Sequence, residues 1–172
     1  MSVRYHNFGG VIGWNLQKYF PMLSSDSYLK LQRSTRNKLQ KEYIDYFLST
    51  GEPPMPLVVN LETINRCNST CSFCTANKNA EKRPYKRMED SLFYSIIDQL
   101  AEWGYTGHLT LYGNNEPFLD TRIVEFHKYC REKLPHSFIF LSSNGLLLTV
   151  DKVKEIIPYV NQLIINNYCR DM

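Results

Sequence analysis

At 172 residues and 43% hydrophobic, the chain is long enough for one packed domain of ordinary size with an N-terminal appendage. Twenty Lys and Arg against 17 Asp and Glu leave a net charge of +3, too balanced to make nucleic acid the main partner. No apolar run approaches the roughly 20 residues of a membrane span, and the N-terminal stretch with Gly9, Gly10, Asn15 and Lys18 has no continuous signal-peptide core, so a cytoplasmic protein with no membrane partner is expected.

The spacing predicts a long polar helix over residues 28–48, with Leu31, Leu39, Tyr43 and Phe47 on an inner stripe and Lys30, Arg33, Arg36, Lys38 and Lys41 on a solvated face. Gly51-Glu52-Pro53-Pro54 ends it, because neither proline can donate to the ladder, and a boundary is expected between 1–52, an N-terminal helical extension, and 53–172. From Pro56 the pattern alternates strand and helix, as parallel βα units do. Leu57–Leu61 reads as a first strand, and Lys78 to Arg87 as a basic linker. Leu92, Phe93, Ile96, Ile97 and Leu100 lie on a helix stopped by Gly104. His108–Tyr112 is a second strand, followed near Asp120 by a helix with Ile123, Phe126, Cys130 and Leu134 on one face. Ser137–Ser142 is a third strand, Thr149 caps a short helix through Val153, Ile156 and Ile157, and Gln162–Asn167 is a fourth strand. The expected fold class is therefore α/β, a partial barrel of parallel strands.

Five cysteines is an odd number, and Cys67, Cys71 and Cys74 fall within eight residues, which excludes an even, dispersed disulfide framework and points to metal or redox chemistry in a reducing compartment. Three thiolates in one short loop can hold three corners of an iron-sulfur cube and leave one iron open. The C-x-x-x-C-x-x-C spacing after a strand, with Phe73 just before the last cysteine, closely resembles the cluster loop of the radical S-adenosylmethionine superfamily. The resemblance implies a 4Fe-4S cluster on Cys67, Cys71 and Cys74. It also implies S-adenosylmethionine chelated at the open iron and cleaved reductively to a 5′-deoxyadenosyl radical, with Phe73 excluding solvent beside the cluster. It further implies an electron donor such as a flavodoxin or ferredoxin, and an unknown substrate that can be a peptide or protein, as in members carrying auxiliary clusters in a cysteine-rich tail.

Three later segments resemble the family at successive strand ends, where barrel-type folds build their sites. Gly113-Asn114-Asn115-Glu116-Pro117 is similar to the turn that receives the methionine amino group, with Asn115 where glycine is usual. Since Asn tolerates a left-handed backbone, the turn is expected to persist, with Glu116 orienting the ammonium group. Ser143, before Asn144-Gly145, stands at the place of a threonine whose hydroxyl can meet the cofactor; a strand-to-helix turn requiring Gly145 is the other reading. Period-two alternation puts Ile164, Asn166 and Tyr168 on one face, and Asn166 resembles an inward serine of the family.

The resemblance covers roughly residues 56–168 and four of the usual six βα units, so the sequence is expected to be the N-terminal part of a longer domain. Two other readings stand beside it. One is a zinc-stabilised binding module, with Lys78, Lys82, Arg83, Lys86 and Arg87 contacting an anionic partner and a fourth ligand from Cys130, Cys169 or a histidine. The other is a fragment that binds a cluster without cleaving the cofactor.

Overall fold

The computed structural model describes residues 25–71, 74 and 83–166. The chain divides into two compact units, Met1–Met55 and Pro56–Met172. In the first, helix α1 spans Ser25–Thr50. Lys38 pairs with Glu42 and Lys41 with Asp45 at helical i,i+4 spacing, as a solvated face should. The expected inner stripe is not realised over its last turns, because Tyr43 and Phe47 are 36% and 49% exposed. A helix that is polar nearly all round has no narrow face to bury, and aromatic residues at i and i+4 do not alone create one. The side chains of Leu31 and Leu39 lie outside the described residues.

The second unit is built from β1 (Val58–Asn60), α2 (Asp90–Glu102), β2 (His108–Thr110), α3 (Ile123–Lys133), β3 (Phe138–Ser143), α4 (Val150–Ile156) and β4 (Gln162–Ile165). All neighbouring strands are parallel, in the sequential order β1-β2-β3-β4. Leu109, Leu111, Ile139 and Leu141 on one face of the sheet share a core with Phe93, Ile97, Phe126 and Ile156 from the helices. Sequential order with the helices gathered on one face is the winding of a barrel, and four units make part of one. No helix among the described residues is long and apolar enough to cross a membrane.

Local signals explain the elements. Gly104, at φ 66°, closes α2 with a backbone that other residues resist. Thr149 caps α4 by accepting from the Lys152 amide at 3.3 Å. Phe93 and Phe126 stack at 3.8 Å between ring centres, and the Tyr94 ring meets Phe126 and Tyr129 edge-on. Arg122 then clamps the helix layer. Its Nε and NH2 groups donate to the two oxygens of buried Asp120 at 2.9 and 2.7 Å, while NH1 reaches Asp90 and the Met88 carbonyl. Burial alone would raise the Asp120 pKa, but the Arg122 hydrogen bonds outweigh it and hold the carboxyl below its usual range.

Candidate functional site: a cysteine loop at the carboxyl edge of the sheet

Each strand carries one expected segment at its carboxyl end, and hydrogen bonds chain those ends together. The loop after β1 is held by a stem. Residues 63–65 run antiparallel to 86–88, with Met88 N donating to Thr63 O at 2.8 Å and Asn65 N to Lys86 O at 3.1 Å. Asn65 Nδ2 donates to Pro84 O, and Arg66 donates through NH2 to Arg83 O at 2.8 Å. The end of the basic linker is thus structural. Arg83 also lies 3.8 Å from Glu62, and Arg87 lies 3.9 Å from Asp90. Lys78 and Lys82 fall outside the described residues.

Cys67, Cys71 and Cys74 leave this stem as free, half-buried thiols. Two of them have polar company: Ser69 Oγ is 3.0 Å from Cys71 Sγ, and Asn144 Nδ2 is 3.7 Å from Cys67 Sγ. Among the described residues, no three His, Cys, Asp or Glu side chains gather closely enough to hold one metal ion. A tetrahedral zinc with Zn–S bonds of about 2.3 Å needs its sulfurs within ~4 Å of one another and a fourth ligand besides. Three soft thiolates in one short loop suit three irons of a cube, each iron taking one sulfur. Cys130 is no fourth ligand, since it is fully buried in the core and burial pushes its thiol pKa up strongly. Phe73 and Cys169 lie outside the described residues.

The turn after β2 persists, by a device other than the expected one. No described residue except glycine has a positive φ, so Asn115 does not use the left-handed region. Its side chain closes the turn instead, with Oδ1 accepting from Gly113 N at 2.8 Å. Gly113 and Asn114 are exposed at its tip. Glu116 N donates to Arg66 O at 2.8 Å, which fastens this turn to the residue before Cys67.

Glu116 itself is bonded within its own chain. Its side chain is 1% exposed; Oε1 accepts from Ser143 Oγ at 2.8 Å and Phe118 N at 3.2 Å, and Oε2 accepts from Asn144 N at 2.8 Å. A carboxylate enclosed by three donors of its own chain staples the β2 and β3 ends together. Ser143 belongs to the same network. Its alternation with Leu141 and Ile139 turns it to the helix side, 3% exposed, where its oxygen also accepts from Gly145 N at 3.0 Å. The strand-to-helix turn there does require Gly145, which has φ 79° and whose added Cβ would stand 2.8 Å from Ile165 Cγ2. Asn166 lies just past β4, half-buried, donating through Nδ2 to Ser142 Oγ at 2.8 Å and through its backbone to Ser143 O at 2.8 Å. Tyr168 is outside the described residues.

Two residues escaped the motif reading. Glu62 continues the parity of Val58 and Asn60 on the face away from the helices, and its Oε1 is buried without a hydrogen-bond partner among the described residues. It lies against Gly113, where an added Cβ would be 3.7 Å from Glu62 Cβ. Asn115 Nδ2 is likewise buried and unpaired among the described residues. An acceptor and a donor left open beside one turn suit the ammonium and carboxylate of an amino-acid headgroup. Counting by two from Val58 was the signal available for Glu62. Nothing in the sequence marked Asn144 as a partner of Cys67.

Comparison with known proteins gives the family. A curated relative, the S-adenosyl-L-methionine-dependent 2-deoxy-scyllo-inosamine dehydrogenase of Niallia circulans, is 23% identical over 97 residues, which is 56% of this chain and 38% of that protein. The solved structure of BtrN in an open conformation superposes with a TM-score of 0.61 at 19% identity, covering 68% of this chain and 52% of that one. BtrN in complex with AdoMet and 2-DOIA gives a TM-score of 0.60 at 19% identity over 66% and 46% of the two chains. The chain therefore spans about half or less of the proteins it resembles. Residues 61–166, from the end of β1 past the end of β4, match the family model of the Radical SAM superfamily, and the chain belongs to that superfamily, whose cofactors are a 4Fe-4S cluster and S-adenosylmethionine.

Proposed function

We propose that this chain is the cofactor-binding part of a cytoplasmic radical S-adenosylmethionine enzyme that abstracts a hydrogen atom from an organic substrate. The observation that carries the reading is the free thiol set Cys67, Cys71 and Cys74 on a stitched loop at the carboxyl edge of the sheet, inside the matched residues. When bound and reduced, the cluster supplies the electron that splits S-adenosylmethionine into methionine and a 5′-deoxyadenosyl radical.

The chain's own residues do the rest. The three cysteines would be the iron ligands, and the family resemblance gives Phe73 the part of excluding solvent from the cluster. The exposed backbone of Gly113 and Asn114 lies at the rim with the open Glu62 oxygen and Asn115 amide, which are suited to the ammonium and carboxylate ends of the methionine moiety. Glu116 and Ser143 hold the rim together from beneath. Asn166 sits half-buried at the same edge, on the inner parity. The electron comes from a protein donor of the flavodoxin or ferredoxin kind. Two substrate classes deserve assay. The curated relative is named for 2-deoxy-scyllo-inosamine, and the family resemblance extends to members acting on peptides.

Anaerobic reconstitution with iron and sulfide, followed by an absorption spectrum and a 5′-deoxyadenosine assay under reductant, tests the proposal. The expected result is a brown protein with a 4Fe-4S spectrum that releases 5′-deoxyadenosine, and a Cys71→Ala variant that does neither. A Cys71→Ala protein retaining full cluster content and cofactor cleavage refutes the ligand set.

A further inference from the structure

Asn144, the first residue after β3, reaches across to the loop after β1, 77 positions earlier in the chain. We propose that Asn144 is a positioning residue that raises the reduction potential of the 4Fe-4S cluster by donating an N–H···S hydrogen bond to Cys67, an inference that rests on the function proposed above.

The orientation of the Asn144 amide is fixed by its neighbours. Its Oδ1 accepts from Leu146 N at 3.0 Å, so the NH2 group must face the cysteine loop; a flipped amide would set two donors against each other. One of the two N–H bonds runs to Asn68 Oδ1 at 2.8 Å, and Nδ2 stands 3.7 Å from Cys67 Sγ, within reach of an N–H···S bond. The backbone is held as well, since Asn144 N donates to Glu116 Oε2 at 2.8 Å and Glu116 N donates to Arg66 O, next to Cys67, at 2.8 Å. Asn144 and Cys67 are therefore fastened to one another by two independent routes, through side chains and through Glu116.

A donor placed on a thiolate ligand acts on electron affinity by simple electrostatics. Reduction adds a negative charge that spreads onto the sulfurs, and a fixed N–H dipole aimed at one of them stabilises the reduced state more than the oxidised state. Removing it makes the cluster harder to reduce. Asn144→Asp is the sharpest variant, because it keeps the acceptor for Leu146 N, loses the donor to Cys67 and sets an acidic group toward the sulfur.

The experiment is an EPR-monitored redox titration of the reconstituted full chain without S-adenosylmethionine, comparing the unsubstituted protein with Asn144→Asp and Asn144→Ala. The expected result is intact cluster content with about a tenfold lower ratio of reduced to oxidised cluster at a fixed solution potential, a fall of ~59 mV for a one-electron couple, in Asn144→Ala and a larger fall in Asn144→Asp. A cluster-bearing variant of either kind that titrates with the unsubstituted protein overturns the inference and leaves the proposed function standing. If Asn144→Asp fails to retain a cluster, the uncharged Asn144→Ala decides. An unsubstituted chain that takes up no 4Fe-4S cluster overturns both.

Discussion

Replacing Glu116 with Gln removes one acceptor from a site closed to solvent, 1% exposed. The carboxylate now receives Ser143 Oγ and Phe118 N on Oε1 and Asn144 N on Oε2, at 2.8, 3.2 and 2.8 Å, with the side chain 1% exposed. If the Gln oxygen takes the place of Oε1, its NH2 faces the Asn144 N–H, donor against donor. If it takes the place of Oε2, Ser143 can turn to accept, but Phe118 N is left facing a donor. Either way one buried backbone N–H goes unpaired, which costs about 1–3 kcal/mol, and the surviving bonds lose charge assistance worth roughly 1 kcal/mol more. The expected destabilisation is about 2–4 kcal/mol, read as a lower urea midpoint at unchanged m-value for the cluster-free chain at pH 7. Hydrogen exchange should show faster exchange at the Asn144 or Phe118 amide. A Gln variant within about 0.5 kcal/mol of the parent, with both amides still protected, would refute the staple.

Gly145→Ala should destabilise the second unit by about 2–3 kcal/mol, the cost of a side chain in the left-handed region plus the crowding of Ile165 by a Cβ 2.8 Å from its Cγ2, measured as a drop in thermal midpoint; an unchanged midpoint would contradict the turn. His127 makes stability pH-dependent. It is fully buried, its Nδ1 donates to Ile123 O at 2.7 Å, its Nε2 is unpaired among the described residues, and burial lowers its pKa from 6.5 to about 4. The neutral ring is the folded form, so its contribution is complete above pH 6.5 and is lost as pH falls toward 4, about 3 kcal/mol in all. His127→Gln should flatten that part of the urea-midpoint profile, and an equally steep profile would show that another group titrates.

The sequence alone determined what depends on local pattern. The alternation of strands and helices, the Thr149 cap, the Gly104 stop and the spacing of Cys67, Cys71 and Cys74 are set within a few residues of chain, and each is found where periodicity and backbone preference put it. Tertiary structure decided which way the polar groups at the strand ends point. Glu116 and Ser143 are motif residues whichever way they face, and only the packing of the β2 and β3 ends brings them together on the helix side to bond one another. Asn115 held its turn by a side-chain oxygen rather than by its backbone, a choice between two conformations that the residue type allows equally. The polarity of α1 left Tyr43 and Phe47 exposed although their spacing is helical, because a face is buried only when something covers it. Hydrogen bonds that join residues 77 apart, as Asn144 joins Cys67, come from the parallel sheet bringing successive strand ends to one edge, and no local pattern encodes them.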